Sequence, residues 1–254
     1  MLYQDLKGKK VLVTGSSSGI GVAIAELFAQ QGALVGVHYN QTEDGARQTL
    51  AKVKSLSDGW LLKADLRNPQ QAADMVNRFA DQAGGIDILV NNAGTMLQRV
   101  NIADSSVEFF DNVFDTNTKS TFLVTQAALP CLKQSHGNIV NIGSIAGHNG
   151  GGGGSGIYAA AKAAVATLTL AMAKEFAPFG IRVNSVMPGL IETRFHEQFS
   201  TPERKKKMAA ETPLGRNGTA EDVAKAIVFL ASNEAAAFIT GEYIAVNGGI
   251  LMRP

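Results

Sequence analysis

Short apolar runs of strand length alternate with longer stretches of helical period along the whole chain, and no other feature restricts the fold so strongly. The runs are VLVT (11–14), LVGVHY (34–39), WLLKA (60–64), DILVNN (87–92), NIVNI (138–142), RVNSVM (182–187) and YIAVN (243–247). Helical patterns fill the gaps at 19–31, 42–55, 69–83, 106–135 with a break near 117, 157–177 and 220–232. Repeated β-α units of this kind build a parallel sheet covered by helices on both faces. The expected fold class is α/β, a doubly wound parallel seven-stranded sheet in a three-layer αβα arrangement. With 254 residues, no repeat and no Pro- or Ser-rich linker, one domain over 1–254 is expected.

A formal net charge of +1 argues against a nucleic-acid binder working through a broadly basic face. The start, MLYQDLKGKK, is polar and runs straight into a strand, and no apolar run looks long enough to cross a bilayer. A soluble cytoplasmic protein without membrane or nucleic-acid partners is therefore expected. The single cysteine, Cys131, has no cysteine partner and no metal-ligand cluster around it; it reads as a buried core thiol, and no metal site is expected.

Between the first strand and the first helix lies T-G-S-S-S-G-I-G, residues 14 to 21. Such a loop presents backbone N–H groups and the positive end of a helix dipole where a pyrophosphate can sit. Gly15, Ser17, Ser18, Gly19, Ile20 and Gly21 are its candidate contacts, and Gly19 and Gly21 permit close approach. No Gly-Lys-Ser/Thr follows, so a Walker phosphate loop is excluded. Much later comes Y-A-A-A-K, Tyr158 to Lys162. A free phenol, with a pKa of about 10, is a poor acid at neutral pH, but an ammonium one helical turn away favours its ionised form. Five glycines, 150 to 154, stand just before this helix and read as a flexible loop.

Taken with Asp65, N-N-A-G at 91 to 94, Asn117, Ser144, P-G at 188 to 189 and I-T-G-E-Y-I-A-V-N-G-G at 239 to 249, these motifs resemble the short-chain dehydrogenase/reductase family over nearly the whole chain. The resemblance implies a Rossmann-like sheet in the order 3-2-1-4-5-6-7, a nicotinamide dinucleotide across its carboxyl edge and a homotetramer. It also implies Tyr158 as acid/base, Lys162 reaching both the phenol and the nicotinamide ribose, Ser144 holding the substrate oxygen, and Asn117 in a proton relay. Asp65 and Leu66 are expected near the adenine, Asn91, Ala93 and Gly94 beside the adenine ribose in a segment that also serves partly to stabilise the sheet, and Pro188, Gly189, Ile191 and Thr193 near the nicotinamide carboxamide. Residues at about 190–215 are expected to form a substrate lid. Within it, the basic run from Arg204 to Lys207 offers contacts to an anionic substrate or a carrier protein, against the preferred reading of a solvated helix face. The interval from Ser144 to Tyr158 is one residue longer than the family's usual spacing, an insertion assigned to the glycine run.

The second strand ends in V-H-Y-N, so Tyr39 and Asn40 occupy the position where an NAD-selecting enzyme places a carboxylate. Neither is charged, and Ser16, Ser17, Ser18 and Asn40 offer hydrogen bonds to a 2′-phosphate. NADP is the expected cofactor, with NAD tolerated. The reading is an oxidoreductase moving hydride between NADP(H) or NAD(H) and a small alcohol or ketone. A dinucleotide-sensing regulator without chemistry and a same-fold isomerase or dehydratase are the alternatives.

Overall fold

The computed structural model describes residues 3–252, the side chain of His196 excepted; Met1 and Leu2, the first two residues of the polar start, lie outside this range. The strands are β1 (Lys10–Val13), β2 (Leu34–Tyr39), β3 (Gly59–Lys63), β4 (Ile88–Asn91), β5 (Asn138–Ile142), β6 (Arg182–Pro188) and β7 (Tyr243–Val246). The helices are α1 (Gly19–Gln30), α2 (Glu43–Lys54), α3 (Pro69–Ala83), α4 (Val107–Phe114), α5 (Ser120–Ser135), α6 (Ala146–Asn149), α7 (Gly156–Phe176), α8 (Arg194–Phe199), α9 (Pro202–Glu211), α10 (Ala220–Ala231) and α11 (Asn233–Ala236). All seven strands pair in parallel in the order β3-β2-β1-β4-β5-β6-β7. The fold is thus the expected Rossmann-like α/β sheet, and its order reverses between β1 and β4.

Alternate residues of each strand feed opposite cores, as the period of two requires. Val11, Val13, Val35, Val37, Val90, Val140 and Val186 join Ile24 and Phe28 of α1 and Ile227 and Val228 of α10 on one face. Leu12, Leu89, Ile139 and Val183 join Phe79 of α3, Val124 and Leu132 of α5 and Phe176 of α7 on the other. Cys131 is only partly buried against this second core, not the enclosed thiol expected.

The break near 117 is a π-helical turn, Asp115–Lys119, between α4 and α5. One extra residue per turn opens the backbone there and turns the buried Asn117 side chain toward the loop after β4. With the short turn after it, α7 runs from Gly156 to Phe179 and is apolar and long enough by length and composition to span a bilayer, contrary to expectation. Half of that stretch is buried in the protein, where its residues pack on β5 and β6.

A chain of buried amides and hydroxyls ties these helices to the sheet. Asn91 Nδ2 donates to Thr125 Oγ1 (3.0 Å) and to Asn141 Oδ1 (2.9 Å), and Asn141 Nδ2 donates to Thr169 Oγ1 (2.9 Å). Strands β4 and β5 are thereby fastened to α5 and α7. At the other end of the chain, the Asp5 carboxylate accepts from Ser232 Oγ (2.8 Å) and Asn233 N–H (2.6 Å) at the start of α11.

Candidate active site

Beyond the carboxyl ends of the strands, where the order reverses, lies one cavity of about 660 Å³. Ligands of open α/β sheets bind at such a switch point. One wall is the loop from β1 into α1. Its glycines are required by contact as much as by conformation: a Cβ on Gly21 would lie 2.7 Å from Asn92 Nδ2 and 2.8 Å from Ser16 Cα. Ser18 caps α1 without a side-chain hydrogen bond, so the first-turn N–H groups remain available to an anion.

Beneath this loop the ring of His38 is buried. Its Nδ1 accepts from Gly15 N–H (2.9 Å), which leaves the proton on Nε2 to be donated to Ala64 O (3.1 Å). The Ser16 hydroxyl and backbone N–H meet the backbone of the same histidine. Burial pushes the imidazole down to about 4, so it is neutral across the physiological range.

At the opposite end, α7 carries Tyr158 and Lys162 one turn apart on one face. The loop after β5 brings Ser144 to the phenol, and the two hydroxyls are hydrogen-bonded. Lys162 is buried, and its Nζ donates to Ile142 O (2.8 Å) at the end of β5. Burial lowers the ammonium to about 8 and raises the phenol to about 12, the Ser144 hydrogen bond opposing the latter. This corrects the expected balance: Lys162 Nζ stands 5.9 Å from the Tyr158 ring centroid, and desolvation outweighs its charge. The phenol is therefore firmly protonated at neutral pH.

A Cβ on Gly94 would lie 2.6 Å from Asn117 Oδ1 and 3.0 Å from Lys162 Nζ, so only glycine lets these three approach. Asn117 Nδ2 donates to Thr95 O and Val113 O, both at 2.8 Å, while its buried Oδ1 has no partner among the described residues.

A family model described as enoyl-(acyl carrier protein) reductase matches residues 15–251. The 3-oxoacyl-acyl-carrier-protein reductase FabG of Vibrio cholerae is 40% identical over 249 residues, 98% of this chain and 99% of that protein. The L-rhamnose 1-dehydrogenase (NAD(P)(+)) of a Sphingomonas species is 37% identical, over 96% of this chain and 97% of its own. Among solved structures, a short-chain type dehydrogenase/reductase from Mycobacterium marinum superposes with a TM-score of 0.92 at 34% identity, covering 99% of this chain and 98% of that one. The chain belongs to the short-chain dehydrogenase/reductase family. It is an NAD(P)-dependent oxidoreductase of that family.

Of the residues singled out in this short-chain dehydrogenase/reductase, Gly15, Ser17, Ser18, Gly19, Ile20, Tyr39, Asn40, Asp65, Leu66, Ala93, Gly94, Ser144, Tyr158, Lys162, Pro188, Gly189, Ile191 and Thr193 all line the one cavity. Four do not. Gly21 packs beneath the glycine loop, Asn117 stands behind Gly94, Asn91 is turned into the sheet by its bonds to Thr125 and Asn141, and Ser16, offered for a 2′-phosphate, is buried with its hydroxyl donating to Val13 O (3.0 Å). The cavity neighbour is instead Asn92, whose Nδ2 donates to Thr14 O and Gly15 O, both at 2.9 Å. Asp65 is already engaged: Arg67 donates to both carboxylate oxygens, the closest contact being 2.6 Å, and holds the acid below its usual range. Also unanticipated were Gln41 and Thr42 on the rim beside Asn40, and Arg99. The basic run divides: Lys207 pairs with Glu211 in solvent, but Arg204 turns into the cavity, against the solvated face expected for the whole run.

Proposed function

We propose that this enzyme interconverts a small ketone or aldehyde and its alcohol, with Tyr158 as the proton donor and acceptor. The convergence of Ser144, Tyr158 and Lys162 at one end of a cavity whose other end is a glycine loop carries this reading. When bound, the reduced dinucleotide supplies a hydride to the carbonyl carbon. Ser144 then positions the carbonyl oxygen at the phenol, and protonated Tyr158 delivers the proton. Lys162 has three donors and gives one to Ile142 O, which leaves two for the dinucleotide ribose and for proton traffic toward Asn117. The orphaned Asn117 Oδ1 fits an acceptor for a proton-carrying water. The chain acts as one catalytic domain, soluble and cytoplasmic, and residues from about 190 to 215, with α8 and α9, form the lid.

Tyr158→Phe is expected to lower kcat by about 10²- to 10⁴-fold while cofactor affinity stays within a few fold, since only the proton donor is lost. Nicotinamide absorbance over a panel of ketones and alcohols, with cofactor titration, reads both. Substantial residual turnover contradicts the assignment.

NADP is proposed as the preferred cofactor, with NAD accepted. The rim at the end of β2 is built from Ser17, Asn40, Gln41 and Thr42, all neutral; Arg67, the cation lining the cavity at the adenine end, is paired with Asp65, and Arg47, near Tyr39, is paired with Glu43. Neutral hydrogen bonds accept a 2′-phosphate but discriminate less than a full charge. A kcat/KM ratio favouring NADP by a modest factor is expected; a ratio favouring NAD overturns the preference.

A further inference from the structure

We propose that the substrate carries a carboxylate or phosphate oxyanion away from its reacting carbonyl, and that Arg99 and Arg204 receive it together. The inference rests on the reading of the Ser144–Tyr158 end as the carbonyl site. Arg99 follows β4, Arg204 lies in the first turn of α9, and both half-buried side chains line the same cavity as Ser144 and Tyr158.

Arg99 is held rigidly and yet incompletely used. Its Nε donates to Phe199 O (2.8 Å), and its Nη1 donates to Gly152 O (3.1 Å) and Gly153 O (2.7 Å). A guanidinium has five N–H donors, so both hydrogens of Nη2 are left without a partner among the described residues. The Arg204 guanidinium has no hydrogen bond among the described residues; its backbone N–H donates to Thr201 Oγ1 (3.2 Å). Neither arginine belongs to any ion pair among the described residues. Burial and the charge of Arg204 together depress the Arg99 guanidinium below the usual arginine value. Asp65 is the one carboxylate among the lining residues, and it is paired with Arg67 at the adenine end.

Two like charges in one half-buried mouth without a counter-ion are unfavourable unless an anion joins them. A planar fork of donors suits a carboxylate or phosphate, which it binds in bidentate fashion.

The glycine run is the bed for this pair. A Cβ on Gly152 would lie 2.8 Å from Arg204 Nη2, and one on Gly154 would lie 3.1 Å from the side chain of Arg99. Side chains here would push both arginines aside. The glycine loop therefore places charge at the cavity mouth.

The test compares reduction of levulinate, pyruvate and dihydroxyacetone phosphate with that of methyl levulinate, methyl pyruvate and dihydroxyacetone. At least one anion should exceed its neutral analogue in kcat/KM by about tenfold or more, and that ratio should collapse toward one in Arg99→Gln and Arg204→Gln. Whether the carboxylate pairs or the phosphate pair show the effect identifies the anion. Arg204→Gln breaks no side-chain hydrogen bond or ion pair among the described residues, so its result depends less on the glycine loop than that of Arg99→Gln, which removes bonds to Gly152 and Gly153. Preference for the neutral analogues, or equal losses for both members of a pair, overturns the proposal while leaving the oxidoreductase reading intact. If no carbonyl compound is reduced, that reading fails instead. The arginines are then read by calorimetric titration of the same anions into Tyr158→Phe with NADPH. Binding weakened about tenfold by Arg204→Gln supports the pair, and absent or indifferent binding overturns it.

Discussion

His38 joins the two segments that flank the nucleotide end of the cavity, and it does so only while neutral. Its Nδ1 must accept from Gly15, so protonation sets two N–H groups against each other. The folded pKa, about 4, lies below the unfolded value of 6.5, so the unfolded chain binds the extra proton. Stability from this group is therefore full above about pH 6.5 and is lost as the pH falls toward 4. Between pH 7 and 4.5 the loss amounts to about 2 kcal/mol. Urea denaturation of the wild type and of His38→Asn across this interval should show the difference, because an amide can accept from Gly15 and donate to Ala64 without titrating. Equal acid sensitivity in the two proteins counts against the histidine. This clasp was not legible in the sequence, because a lone histidine at a strand end carries no sign of what lies beneath it.

At the scale of elements, the seven strands and the six helical stretches expected fell within a residue or two of their bounds because both faces of the sheet are buried and each run must be apolar on both parities; α6, α8, α9 and α11 had no expected bounds. Even the break near 117 was expected, at the asparagine that the family resemblance marks as bending a helix. Facing was harder. In N-N-A-G either asparagine can serve the sheet, and only the register of β4 beside β5 decides that Asn91 points to Asn141 while Asn92 points to the glycine loop. The pairing of Arg99 with Arg204 was out of reach for a different reason: the run holding Arg204 could be marked as a possible anion contact, but Arg99 lies about a hundred residues earlier and meets it only through the fold. The amide chain makes a prediction at this scale. Asn141→Leu strips partners from both Asn91 and Thr169 in the interior, and each buried group left unsatisfied costs about 1–3 kcal/mol. A loss of about 2–4 kcal/mol in chemical denaturation is expected; a change under about 0.5 kcal/mol would mean that the chain of bonds contributes little to the fold.

For the whole molecule, assembly is expected from the surface as well as from the family. Phe110 on α4, Phe122 on α5 and Leu170 on α7 are 43%, 44% and 39% exposed, which is costly for side chains of this size on neighbouring helices. Light scattering at micromolar concentration should give a tetramer, and Phe122→Glu should shift it toward smaller species; a monomeric wild type rules this out. The attachment of Asp5 to Ser232 and Asn233 reaches further than the surface. The nucleotide cradle of β1, α1 and β2 is complete within the first forty residues, yet Ile24 and Phe28 of α1 find their cover in Ile227 and Val228 of α10. A nascent chain halted before α10 would hold a drawn cradle with one greasy flank open to water, the kind of surface that chaperones recognise. The first helix is sealed only once α10 has been made, and Asp5 ties the same early segment to the start of α11.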